Sequence, residues 1–268
     1  MYICLIRNEY CNKDIGYLFY RESDKSFSIE LDKNSKRYFP ALLSLMADKG
    51  IYTVDPYWSN RFVSARVIPI DRQNISDILK NEGLKEYDVY RLLVSAEGRC
   101  SHDDCAIIPI SKDHILPKWL HERLNGKIKS VTISENNRIY IELINGKKYS
   151  NNLNNIFANN KSLSILLNRK ADLLNYSLMI NGSGLYWYNQ TYIMIDDLLN
   201  NAETLNLEED FMYSYISQNI ISTLDACKIL NCTRQYINQL VKTGRLYPVM
   251  EVGNNRFFLK SDIFKTLN

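Results

Sequence analysis

The stretch from Ser222 to Asn268 constrains this chain more than any other: STLDACKILNCTRQYINQLVKTGRLYPVMEVGNNRFFLKSDIFKTLN. Its punctuation is local. Ser222 or Thr223 suits the cap of a first helix, Leu224 to Leu230, because a hydroxyl accepts from an unpaired backbone amide. Leu224, Cys227 and Leu230 lie three apart, on one face, and Ala226 is small where a second helix would approach. Asn231-Cys232 makes the turn, since Asn tolerates left-handed backbone angles. Thr233 caps a second helix, Arg234 to Thr243, and Gly244 ends it. Ile237, Leu240 and Val241 recur at i, i+3, i+4 and would bury against the first helix, while Arg234, Gln235, Asn238, Gln239 and Lys242 occupy the opposite face. Val249 to Val252 and Arg256 to Leu259 then read as a hairpin around Gly253-Asn254-Asn255. Ser261 is placed to cap a closing helix, Asp262 to Leu267.

This order and spacing resemble the excisionase and MerR-type winged helix-turn-helix. The residues that carry the resemblance are the Ser/Thr start, DACKIL, the Asn-Cys-Thr-Arg turn, the helix end INQLVKTGRL, the Val-Gly turn and the Phe-Phe strand before KSDIF. Asn231 stands where that family commonly has glycine. The resemblance implies double-stranded DNA as partner, with the second helix in the major groove and the hairpin as a wing. Arg can bond a guanine edge twice, and Asn or Gln an adenine edge. The expected DNA contacts are Thr233, Arg234, Gln235, Tyr236, Asn238, Gln239, Lys242, Arg245 and Arg256. Arg256 is expected near the wing tip, for phosphate or minor-groove contact. Lys228, Lys242 and Arg245 suit phosphate anchoring.

The charge distribution agrees with a polyanion partner. Residues 1–117 hold 16 Lys+Arg and 17 Asp+Glu, residues 118–212 hold 10 of each, and residues 213–268 hold 7 and 3. The last segment is therefore +4 and everything before it −1, which leaves the chain at +3.

Upstream, strand-like runs at Tyr2 to Arg7, Ile15 to Tyr20 and Ser26 to Leu31 suit an antiparallel meander. Helices are expected after Pro40, ending at Gly50, and at Asn74 to Asn81 and Tyr87 to Val94. Arg61 to Ile70 reads as a buried strand, and Ala106 to Ile110 as another. Further on, Lys127 to Ser134, Arg138 to Ile144 and Lys147 to Asn151 read as strands, with Asn145-Gly146 a tight hairpin turn. A helix is expected around Leu163 to Leu174. The strands Ser177 to Ile180 and Leu185 to Tyr188 flank a glycine turn, and Ile195 to Leu199 closes the segment. KIKSVTISENNRIYIELINGKKYS and GLYWYNQTYIMIDDLL resemble a small bacterial family, domain of unknown function 2442, over about 80 residues. That resemblance implies no catalytic residues. The expected fold class is α+β, in several domains. Residues 1–116 form an N-terminal α+β domain and residues 117–200 a small α+β meander. Residues 201–220 are a linker or bridging helix, and residues 221–268 the winged helix-turn-helix.

Other chemistry is sparse. No apolar run is long enough for a signal peptide or a membrane span, so the chain is expected in the cytoplasm with its six cysteines reduced. Cys100, His102, Cys105 and His114 offer zinc-type donors, but C-x-H-x2-C is not a standard knuckle and no metal or other cofactor is expected. With no phosphate loop, no G-x-S-x-G and three histidines, no enzyme is expected. Arg61, Arg66, Arg72, Arg91 and Arg99 could line an anion-binding face, although nearby acids cancel their charge. The resulting expectation is a DNA-binding transcriptional regulator. Residues 1–200 would bind a protein partner, sense, or supply a homodimer contact. The alternative is an antitoxin- or immunity-like protein-binding module with autoregulatory DNA binding. A catalytic role for residues 1–116 and a recombination directionality factor are the remaining alternatives.

Overall fold

The structure is a computed structural model. It describes all residues except 112, 135, 159, 188–190, 206–208 and 267–268, and the side chains of 209–211, 213 and 214 are also left undescribed. The fold mixes helices with antiparallel sheets, an α+β arrangement. It divides into two compact units, Met1–Leu205 and Asn206–Asn268. Among the described residues no helix is long and apolar enough to cross a membrane.

The first unit opens with β1 (Tyr2–Asn8), β2 (Lys13–Arg21) and β3 (Ser26–Leu31), an antiparallel meander. Then come α1 (Ala41–Asp48), β4 (Thr53–Val54), α2 (Pro56–Ser64), α3 (Ile75–Asn81), α4 (Val89–Ser95) and β5 (Cys105–Pro109). The strands form one sheet in the order β4-β3-β2-β1-β5. β2 is buried without interruption from Ile15 to Tyr20 because both faces of the sheet are covered. Leu18 and Tyr20 meet a core with Phe62, Leu93 and Ile107. Tyr17 and Phe19 face the other way, onto Leu120 and Ile180.

The expected strand at Arg61 to Ile70 is instead the end of α2 and the turn after it. The Asp55 carboxylate accepts from the Trp58 amide at 3.0 Å and Pro56 sits in the first turn, so the helix is nucleated upstream of the apolar run. Ser59, Phe62 and Val63 then share its buried face.

After α5 (Lys118–Asn125) come β6 (Ile128–Ile133), β7 (Arg138–Leu143) and β8 (Lys148–Asn152). Ile139, Ile141 and Leu143 alternate inward on β7. The helix expected at Leu163 to Leu174 is broken. After a short α6 (Leu153–Phe157), α7 (Lys161–Leu167) stops at Asn168 before α8 (Lys170–Leu174) begins. β9 (Ser177–Leu178) is shorter than expected and gives way to a 3-10 turn, Ile180–Gly182. β10 (Gly184–Tyr186) and β11 (Tyr192–Met194) complete a three-stranded sheet, and the part of the expected aromatic strand at Tyr188 lies outside the described residues. α9 (Ile195–Leu199) leads to β12 (Glu203–Thr204), which pairs with β8, so residues expected in the linker join a sheet. Trp187 anchors this core edge-on to Phe157, its indole N–H donating to the Leu173 carbonyl at 2.9 Å.

The break expected at 116/117 separates two cores, not two bodies. Leu120 of α5 and Ile180 pack with Leu5, Tyr17 and Phe19 in a third core shared by both halves. Beside it lies a buried ion network. Glu30 on β3 is fully buried, and Lys127, just before β6, is 3% exposed. Lys127 Nζ is 2.9 Å from Glu30 Oε1, off the line of a hydrogen bond, and donates to Thr53 Oγ1 at 2.6 Å. Thr53 in turn donates to Glu30 Oε2 at 2.7 Å. Arg123 of α5 donates to the Leu31 and Tyr52 carbonyls at 2.6 and 3.2 Å.

The second unit comprises α10 (Glu209–Asn219), β13 (Ile220–Ser222), α11 (Thr223–Leu230), α12 (Arg234–Lys242), β14 (Met250–Val252), β15 (Asn255–Leu259) and α13 (Lys260–Lys265). Its sheet runs β13-β15-β14, all antiparallel. α13 begins directly after Leu259 with no side-chain cap, so Ser261 lies inside the helix instead of capping it. The expected end of that helix at Leu267 is outside the described residues.

Candidate nucleic-acid interface

The geometry of the second unit follows from four local signals. Ser222 Oγ accepts from the Asp225 amide at 3.2 Å and starts α11. Asn231 ends it at φ 48°, ψ 49°, the left-handed conformation that turns the chain. Thr233 accepts from the Tyr236 amide and starts α12. Gly244, at φ 69°, stops it. Ala226 is fully buried where α11 meets α12, and packs with Ile237, Leu240, Leu246, Phe258 and Ile263. Of the expected apolar face of α11, Cys227 and Leu230 pack on this core together with Ala226 and Ile229, while Leu224 is 52% exposed.

Asn231 carries a direct test of this turn. Asn231→Ala should lower the opening free energy of α11 and α12 by about 1–2 kcal/mol, the strain of an L side chain in that conformation, while Asn231→Gly stays near wild type. Native-state hydrogen exchange of the α12 amides in the full chain measures it. Equal protection in the two variants would contradict the account.

α12 turns its apolar residues inward and everything else outward. Thr233, Arg234, Gln235, Tyr236, Asn238, Gln239 and Lys242 are exposed, as is Arg245 just beyond. The expected contact residues on this helix thus share one accessible surface. Arg256 behaves otherwise. It lies near the hairpin tip, in the second pair from the turn, but it is half-buried and its side chain is engaged within the unit. Its Nε donates to Glu251 Oε1 at 2.6 Å and an Nη to Asn238 Oδ1 at 2.9 Å, so it braces the hairpin against α12. The cause is register: the turn at Gly253-Asn254 sets Glu251 opposite Arg256. The sequence reading left Asn255 in the turn, whereas Asn255 pairs with Val252 and opens β15, which shortens the turn to two residues; the reach to Asn238 depends on how the hairpin folds over the helix.

The charges sort themselves. Each acid between residues 213 and 268 has a cation partner: Asp225 with Lys228 at 3.3 Å, Glu251 with Arg256, and Asp262 with Lys265 at 2.8 Å. Asp225 is held below the usual carboxylate range by the Ser222 hydroxyl first and then by Lys228. Among the described residues Arg234, Lys242, Arg245 and Lys260 have no ion-pair partner. Three of these four lie on α12 or one turn past its end. The expected anchor Lys228 is committed to Asp225.

The zinc-type donors of the first unit do not converge. Cys105 is buried on β5, its thiol pushed up to about 12 by burial first and then by the Asp103 charge. His114 Nε2 lies 3.4 Å from the Tyr17 hydroxyl. Among the described residues no group of three or more His, Cys, Asp or Glu could hold a metal ion. Comparisons with family models, with curated proteins and with solved structures found no match to this chain.

Proposed function

We propose that the protein is a DNA-binding transcriptional regulator whose second unit is a winged helix-turn-helix of the excisionase and MerR type. The observation that carries this reading is the surface of α12. The unpaired cations Arg234, Lys242 and Arg245 lie there beside the amides Gln235 and Gln239, and all are exposed. Amide and guanidinium side chains can discriminate base edges in the major groove, and free cations can displace condensed counterions from phosphates. The hairpin is the wing, its Arg256 set to hold the posture of the helix. One such module buries about 600–1,000 Å² of protein surface, so tight operator binding calls for two copies, with the dimer contact supplied by the first unit.

The test uses the full chain and duplexes selected from a random pool. Wild type should enrich a defined site. Arg234→Ala with Gln239→Ala should weaken binding to it by about a hundredfold or more, since each bidentate base contact contributes about 1–3 kcal/mol. Lys265→Ala, which removes a cation already paired with Asp262, should bind as wild type does. A double variant that shifts the selected duplex unchanged, or a wild type that enriches no sequence, defeats the proposal.

A further inference from the structure

The first unit holds a cleft of about 580 Å³, within the roughly 300–1,000 Å³ range of small-molecule sites. One wall is the outer face of α2, where Tyr57, Asn60, Arg61 and Ser64 recur at i, i+3, i+4 and i+7. Met179, Ile180, Tyr186 and Tyr192, from the other half of the unit, form the opposite wall. The β2–β3 hairpin closes one end with Arg21 and Asp24.

The polar groups of this cleft divide into committed and uncommitted. Arg21 grips Asp24 with two bonds, 2.9 and 2.6 Å, and donates a third to the Leu178 carbonyl at 3.0 Å. The Asp24 carboxyl is raised by burial, but the bonds from Arg21 and Ser26 outweigh this and leave it below its ordinary value. That pair is therefore ionised and jointly neutral. The Tyr192 phenol is pushed up to about 12 by burial first and then by Asp55, so it is neutral, and its hydroxyl is committed to the Asp55 carboxylate. Arg61 differs. Of the five arginines scattered through residues 61–99, Arg66 pairs with Asp103, Arg91 with Asp88 and Arg99 with Glu9, and Arg72 donates to Asn74. Arg61 is exposed and has no side-chain partner among the described residues. Arg61 is thus the one cation of the cleft without an acid partner, and the walls beneath it are rich in phenol rings, Met and Ile; the Asp55 carboxylate lies behind the Tyr192 hydroxyl and is occupied there and by the Trp58 amide.

We propose that this cleft binds a small planar aromatic anion, with the acid on the Arg61 guanidinium and the ring between Tyr57 and the Tyr186–Tyr192 wall. A planar acid suits both parts, because guanidinium pairs with carboxylate or phosphate in a fork and phenol rings accept a flat apolar body. The proposal goes beyond the DNA-binding reading and is independent of it: the residues belong to the other unit, and the readout involves no DNA.

Calorimetric titration of the full chain with 1-naphthoate, phenyl phosphate and methyl 1-naphthoate tests it. Naphthoate or phenyl phosphate should saturate one site with a Kd below about 1 mM, and the neutral ester should bind about tenfold more weakly or worse. Arg61→Gln should cost naphthoate about tenfold and leave the ester unchanged, while Tyr186→Ala weakens both. Arg91→Gln, outside the cleft, should change neither. The Arg61→Gln protein should melt as wild type does, since its side chain has no partner to lose. Absence of saturable binding by both anions, or equal naphthoate affinity in wild type and Arg61→Gln, overturns the proposal.

Discussion

Glu30→Leu should lower the stability of the first unit by about 3–5 kcal/mol, because it strands a buried ammonium. Lys127 is 3% exposed, and without Glu30 its only hydrogen-bond partner in the network is the Thr53 hydroxyl. Arg123 loses little, since its shortest bonds go to the Leu31 and Tyr52 carbonyls. Adding Lys127→Met to Glu30→Leu should recover most of the loss, because two apolar groups replace two buried charges. Urea unfolding followed by tryptophan fluorescence reads this unit, since Trp58, Trp119 and Trp187 all lie within it. A single variant as stable as wild type, or a double variant no better than the single, would show that the network does not hold the halves together.

Gly182→Ala should be as damaging by a different route. A β-carbon there would lie 2.1 Å from the Ile128 carbonyl oxygen and 2.9 Å from its nitrogen, and the residue sits at φ +66°. The left-handed conformation alone costs about 1–2 kcal/mol, and the clash is with backbone, which no side-chain rotation relieves. A total loss of at least about 3 kcal/mol follows. Gly146→Ala separates the two effects. Gly146 has φ +81° but nothing within 4 Å of the added carbon, so it should show the conformational cost alone. If both variants unfold at the same urea concentration, the close approach of the Gly182 turn to β6 has been misjudged.

What was legible in the sequence was what acts over a few residues. Ser222, Asn231, Thr233 and Gly244 each make their decisive contact within four or five positions, and the boundaries of α11 and α12 were readable for that reason. The Asn-Gly turn between β7 and β8 is another such case, Gly146 taking φ +81°. The misreading at Arg61 to Ile70 came from weighing an apolar run above the Asp55-Pro56 start that precedes it. What joins the halves of the first unit was invisible. Glu30 and Lys127 are far apart in sequence, and either alone looks like an ordinary surface charge. The α12 surface was readable as a set of residue types, because its inward positions announce which side is left over. Arg256 was read near the hairpin tip, where it lies, but its engagement was not legible, because its side chain answers to Asn238 across a tertiary contact. The cleft beside α2 was illegible altogether, since its walls meet only after both halves have folded.

Arg256 divides its donors between a carboxylate on its own hairpin and an amide oxygen on α12. Asn238 gives one lone pair of its carbonyl oxygen to that guanidinium and keeps the other. If α12 enters a major groove as proposed, a base that turns the Asn238 side chain aside would loosen the hairpin brace and leave an Arg256 donor for a phosphate. Hairpin and helix would then answer to one another as the arms of a balance do, through a single shared side chain.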